Sequence, residues 1–405
     1  MTANPQPTLT RQAPSQSRDF PQWLRDNLFN TWYNGLFTMA IASFLLWMLV
    51  GFVSWARVTA QWEVIPANLH LFMVGRFPSD QYWRLWLLLG IVSILSGLTW
   101  GFLARRQTIL FSQNIVISLS VVAMLMALVP TPIPYRIMAI ALLFILVVSS
   151  WGGRKIASRK PQLGKWLPFS WFMLLIISLW LIGGGLGLRG VSTDLWGGLM
   201  LTLLMSVISI LLCFPLGVLL ALGRQSDLPV IRGLSIAYIE VIRGLPLITI
   251  LFMGQILLPL FLPEGMRPDR ILRAIVGLTM FSSAYLAENV RGGLQAIPRG
   301  QYEAAKALGI NAPLTMALII LPQALKISIP SIVGQFISLF QDTTLLAIVG
   351  LVELLGISRS ILANPRFLGR YAEVYLFVGI LYWLFCYLMS LASRKLEKQL
   401  NTENR

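Results

Sequence analysis

The sequence predicts an all-α integral membrane protein of about ten transmembrane helices, on three observations. Of its 405 residues, 56% are hydrophobic and 12% charged, with a mean hydropathy of +0.73, a balance foreign to soluble domains. Apolar runs of about 20 residues, long enough to cross ~30 Å of hydrocarbon, recur along the chain. The basic residues gather in alternate connecting segments, as short loops retained on the cytoplasmic side require.

Five expected spans cover residues 35–55, 84–103, 109–129, 134–151 and 168–188, and five more cover 195–222, 245–262, 274–296, 327–349 and 371–392. Pro130, Pro132 and Pro134 leave only a brief turn between the third and fourth. With the amino terminus inside, 21 of the 32 basic residues fall in or beside inner segments, which places both termini in the cytoplasm. The formal charge of +16 is then mostly a topology signal and an attraction to anionic lipid. No soluble basic domain exists to carry a nucleic-acid surface.

The chain is expected to divide near Arg189. Residues 1–28, rich in Pro, Gln, Ser and Thr and without an apolar signal-peptide core, predict a disordered cytoplasmic tail. Residues 29–189 form a five-helix extension with Trp55, Trp83, Trp86, Trp166 and Trp171 toward span ends, 190–395 the functional core, and 396–405 a second cytoplasmic tail. Cys213 and Cys386 lie inside spans and predict packing rather than a disulfide, and the single His70 argues for no metal centre.

The unusual chemistry lies in the second half. Gln301 to Leu308 favour a two-turn helix with low-profile Ala304, Ala305 and Ala307; Gly309 is placed to end it, and Asn311 and Pro313 to turn the chain. So short a helix takes its stability from what it docks on. Ser331, Gln335, Ser338 and Asp342 recur at intervals of four, three and four, a polar stripe on one face of the ninth span. Polar groups at membrane depth call for a function or a partner. Asp342 could accept the ammonium of a zwitterion, with Gln335, Thr343 or Thr344 meeting its carboxylate; alternatively the stripe packs against another helix. Ser282, Ser283 and Tyr285 point toward the same region. Glu288 and Arg291, and Glu240 and Arg243, are spaced three apart, so each pair is expected to neutralise itself on its helix. Glu353 and Glu373 lie near outer boundaries, where partial hydration is expected, and receive no role.

Glu303-Ala304-Ala305, Gly309, Ile319 and Leu321-Pro322 resemble the cytoplasmic EAA loop, here 298–322, of ATP-binding cassette (ABC) importer permeases. TLLMSVISILLCFPLGVLLALGRQS from Thr202, YIEVIRGLPL from Tyr238, AYLAENVRGGLQAIPRGQYEAAKALG from Ala284 and LPQALKISIPSIVGQFISLFQDTTLLAIVGLVELLG from Leu321 are similar to the polar amino acid permeases, over about residues 193–392. The longer form, with FLPEGMRPDRILRA from Phe261, resembles the M-type membrane subunit of general L-amino acid importers.

The resemblance implies a type I importer core in the last five spans. It implies a homologous second permease, a cytoplasmic ABC ATPase dimer receiving the EAA helix, a periplasmic or extracellular amino acid-binding protein, and residence in a bacterial inner membrane. Glu303, Ala304, Ala305, Gly309, Leu321 and Pro322 would then be the coupling segment. The sequence contains no G-x-x-x-x-G-K-[ST] phosphate loop, so ATP and Mg are expected on the partner ATPase and none on this chain. Two other function classes make different demands on the sequence. A secondary transporter driven by an ion gradient would show broken helices in two related halves, whereas residues 1–190 hold no second EAA-like loop. A membrane-bound enzyme would need a nucleophile or metal cluster, and none is visible.

Overall fold

A computed structural model describes residues 20–106, 109–128 and 132–402. All regular structure among them is helical, and the chain divides between Gln61 and Trp62. Eight helices are long and apolar enough to cross a membrane, and a bent pair makes a ninth.

The first unit holds a short helix, Phe20–Leu28, and the span α1, Trp32–Thr59. The expected tail at 1–28 is therefore helical from Phe20, and its remainder lies outside the described residues. No side chain of α1 is buried within its unit, and Leu36, Phe37, Ile41, Phe44 and Trp47 point outward around it. A helix apolar on every side suits hydrocarbon rather than water.

The second unit carries the remaining helices. Its amino-terminal part comprises α2 (Ser79–Leu103), α3 (Gln113–Leu128), α4 (Ile133–Arg159) and α5 (Pro161–Gly183). The sixteen-residue α3 occupies the place of the expected third span, part of which lies outside the described residues. Helices α2 and α4 approach closely through Gly97, Gly101 and Gly153, where a Cβ would meet the opposite backbone. Small residues let membrane helices gain dispersion contact where water supplies no driving force.

The carboxy-terminal part runs α6 (Gly198–Arg224), α7 (Pro229–Gly244), α8 (Leu247–Phe261), α9 (Arg270–Gln295), α10 (Arg299–Ala307), α11 (Ala312–Ala347), α12 (Leu354–Leu362) and α13 (Tyr371–Thr402). Three boundaries differ from expectation. The seventh span is half of a pair bent by 101° at Leu245 and Pro246, because Pro246 cannot donate the next helical hydrogen bond. The ninth starts at Ala312 rather than 327, since a π-helical stretch at Met316–Ile320 absorbs Pro322 without ending the helix. The tenth continues through most of the expected 396–405 tail to Thr402, with 403–405 outside the described residues.

No break in packing occurs at Arg189. One buried cluster joins Phe77, Leu85, Ile182 and Val191 to Leu201, Leu204, Leu251 and Leu278, so helices on both sides of Arg189 share a core. A second cluster, built on Cys213, Ile239, Leu286, Val290, Ile320 and Ala324, ties α6, α7, α9 and α11 together beside α10. Within it Gly293 of α9 lies against Ala324 and Ser328 of α11, where any Cβ would collide with the Ala324 carbonyl.

Candidate functional site: an exposed short helix, a polar stripe and two charge nodes

Helix α10 leaves α9 through Ile297 and Pro298 and is exposed at Glu303, Ala304 and Ala307. Ala305 alone is buried, 2% exposed, and so anchors the helix instead of joining the surface expected of the three alanines. Gly309 ends the helix at φ +73°. Its N–H donates to the Lys306 carbonyl (3.0 Å) and that of Ile310 to the Ala305 carbonyl (3.1 Å), the reciprocal pair of a Schellman ending. Asn311 then caps α11, its Oδ1 accepting from the Leu314 N–H at 3.0 Å, and Pro313 lies inside the first turn. The expected turn at Asn311 and Pro313 is thus a helix start, which an Asx side chain and an early proline both favour. Leu321 and Pro322 lie at the end of the π stretch within α11, not in a loop. Gln323 reaches back from them, its Nε2 3.4 Å from Gln301 Oε1 and 2.9 Å from the Ile319 carbonyl. Leu308, 78% exposed, projects beside this helix.

The polar stripe stands on the outward side of α11: Ser331 and Ser338 are exposed, and Gln335 and Asp342 partly so. Asp342 closes the α-helical part and makes no hydrogen bond or ion pair among the described residues. Thr343 departs from the expected route. It is fully buried, and its Oγ1 donates to the Phe340 carbonyl at 2.7 Å, leaving no hydrogen for a substrate carboxylate. Thr344 likewise donates to the Gln341 carbonyl at 2.8 Å. Ser283 is buried against α7, its Oγ 3.1 Å from the Tyr238 hydroxyl, while Tyr285 is partly exposed beside Phe281 and under the Arg243 guanidinium. Ser283 and Tyr285 therefore do not share one surface. Ser282 is buried with an unpartnered hydroxyl. Asn289, which the sequence reading passed over, links α9 to α11 by donating to the Ser331 carbonyl and accepting from Ser328.

The expected ion pairs are rearranged. Glu288 does bind Arg291 at 2.9 Å, and it also binds Arg224 at 2.8 Å and Arg243 at 3.7 Å. Glu240 pairs with Arg224 at 2.9 Å rather than with Arg243 three residues on, because α6 ends beside α7 and presents its last arginine to both carboxylates. Three arginines and two acids thus close the same end of α6, α7 and α9.

Glu353 is the second node. Expected at a partly hydrated boundary, it is fully buried, and Glu373 is 4% exposed. The Glu353 carboxylate accepts from the Leu355 and Gly356 N–H groups at 2.8 and 2.9 Å, capping α12, and from the Tyr382 hydroxyl at 3.1 Å. Thr202 of α6 lies 3.4 Å from it and accepts from the Leu354 N–H. Burial pushes its carboxyl up to about 7, against the hydrogen bonds, which favour the charged form. Nothing in the spacing of Thr202, Glu353 and Tyr382 marked them as partners.

Residues 213–402 match the family model for the binding-protein-dependent transport system inner membrane component. The chain is 37% identical to the inner membrane amino-acid ABC transporter permease protein YhdY of Escherichia coli, over 97% of this chain and 96% of that one. The chain belongs to the amino-acid ABC transporter permeases. It is 36% identical to the glutamate/glutamine/aspartate/asparagine transport system permease protein BztC of Rhodobacter capsulatus, over 98% and 97% of the two chains. A shorter relative, the probable glutamine ABC transporter permease protein GlnP of Bacillus subtilis, is 37% identical over 50% of this chain and 92% of its own. This permease is accordingly a multi-pass inner membrane subunit of an ATP-driven importer, and its family works with ATPase and other permease subunits.

Proposed function

We propose that this permease carries polar L-amino acids inward as the M-type subunit of a general importer, coupled to a cytoplasmic ATPase dimer through α10, with both chain termini in the cytoplasm. One observation carries the coupling: α10 presents Glu303, Ala304 and Leu308 to its surroundings while buried Ala305 and the Gly309 ending hold it against the core. A helix so short keeps its shape through such anchoring, and a push on it passes to α9 and α11, between which it is strung. ATP-driven closure of the ATPase pair then biases a two-state equilibrium of the spans.

The stripe of Ser331, Gln335, Ser338 and Asp342 faces away from its own chain and cannot rest against lipid without cost. A second, homologous permease completes the route there, and unpaired Asp342 receives the substrate ammonium. A binding protein delivers the amino acid from the opposite side. The shared node at Glu288 holds the inner ends of α6, α7 and α9 as one body.

Cysteine crosslinking in the assembled importer tests the coupling. A cysteine at Ala304 is expected to crosslink to the ATPase subunit, and Glu303→Lys or Gly309→Pro to abolish uptake while the complex still assembles. Proline cannot adopt the positive φ of Gly309. Label at Ala304 reached only from the outside, or uptake undiminished in both variants, removes the assignment.

A further inference from the structure

Asp342, the free acid of the α11 stripe, stands between two tied neighbours. On one side Gln341 donates from Nε2 to Cys386 Sγ of α13 at 3.6 Å, and on the other Thr343 is fully buried with its hydroxyl against that of Tyr382, on the same helix. Phe340, 2% exposed, packs its ring on those of Tyr382 and Phe385, with centroids 5.2 and 5.7 Å away. The backbone around Asp342 is therefore held by α13, while its carboxylate makes no hydrogen bond or ion pair among the described residues.

Glu353 holds α13 in turn. Tyr382 donates to its Oε2 at 3.1 Å, and the Leu355 and Gly356 N–H groups of α12 donate to the same carboxylate. Thr202 of α6 lies 3.4 Å away. Glu353, Thr202 and Thr343 are all fully buried, and no cation among the described residues pairs with Glu353. A buried polar network whose members all find partners rigidifies the elements it joins. Here it joins α6, α12 and α13 and reaches the end of α11 through Tyr382, whose hydroxyl meets Glu353 while its ring meets Phe340. A binding group needs such support, because it must stay within about 0.5 Å of its productive place, on neighbours whose own rotamers are locked.

We infer that Tyr382 and Glu353 are positioning residues for Asp342. Their hydrogen bond fixes the Tyr382 ring against Phe340, and that ring sets the last turn of α11, from which the Asp342 carboxylate reaches the substrate ammonium. Neither residue touches the substrate. The inference rests on the proposed place of Asp342 in the route, and its test separates the two.

Uptake by the complete importer is compared for the parent chain, Tyr382→Phe, Asp342→Asn and the double variant. Tyr382→Phe keeps the ring and removes only the hydroxyl. It is expected to lower kcat/KM about fivefold, the worth of one hydrogen bond, and to lower it no further in the Asp342→Asn background, since the two act through one group. Any fall in unfolding midpoint is expected to be equal in both backgrounds. An uptake loss that multiplies across the two substitutions overturns the inference and leaves Tyr382 in α13 packing. Undiminished uptake in Tyr382→Phe, with Asp342→Asn impaired, overturns it too and spares the substrate contact. Wild-type uptake in Asp342→Asn removes the contact itself, and this inference with it. Phe340→Leu gives a second measurement, because it leaves the Tyr382–Glu353 hydrogen bond in place and withdraws the ring that joins it to α11. It is expected to lower uptake when Asp342 is present and not in the Asp342→Asn background; equal losses in both overturn the inference.

Discussion

Arg224 and Glu288, 64 positions apart in the chain, meet at 2.8 Å, and the same guanidinium nitrogen holds Glu240 at 2.9 Å. Of the two expected helix-local pairs, Glu288–Arg291 is kept and Glu240–Arg243 gives way to Glu240–Arg224, within one net spanning three helices. Glu288 is the hub, with Arg224, Arg243 and Arg291 around a side chain only 16% exposed.

This geometry makes a specific energetic prediction. Glu288→Gln combined with Arg224→Gln should show a coupling of about 1 kcal/mol in a double-mutant cycle, as contacting residues in one network do. Glu240→Gln with Arg243→Gln should come much closer to additivity despite their helical spacing. Thermal unfolding of the purified complex reads both cycles; a strong Glu240–Arg243 coupling with none between Arg224 and Glu288 would restore the helix-local pairing.

Glu353 predicts a pH dependence. Its folded value of about 7 stands above its ordinary 4.5, so the folded chain holds the proton more tightly than the unfolded chain. The resulting stability is fully present below about pH 4.5 and is lost as pH rises through about 7, on the order of 3 kcal/mol in all. Unfolding midpoints of the complex should therefore fall across that range, and Glu353→Gln should flatten the slope. An identical slope in both proteins sinks this account.

Asp342 predicts a change in transport rather than in assembly. Removing the charge with Asp342→Asn should lower kcat/KM for amino acid uptake about ten- to hundredfold, the worth of a charge-assisted contact. Crosslinking at Ala304 should be unchanged. Wild-type uptake kinetics across a panel of labelled amino acids would place Asp342 in helix packing instead.

The short helix α10 and its ending were legible because their signals are local: a run of helix formers, a glycine that tolerates positive φ, and an Asx–Pro helix start lie within fifteen residues. The stripe on α11 was legible for the same reason, since helical periodicity alone sets which residues share a face. The start of α11 was misplaced because Pro322 reads as a helix boundary, and only the π stretch before it shows how the helix continues. Thr343 was misassigned because a residue next to the stripe turns inward once the helix tightens to 3-10 geometry after Asp342.

Composition and the period of the apolar runs determined that this chain lives in a membrane, roughly where it crosses, and which segments carry polar groups there. Those are one-dimensional properties, fixed by the lengths of helices and the cost of charge in hydrocarbon. Tertiary structure alone decided that Arg224 serves two acids and that Glu353 is sealed between α6, α12 and α13. Each depends on which helices stand side by side, and contacts between residues distant in sequence leave no periodic trace within either helix.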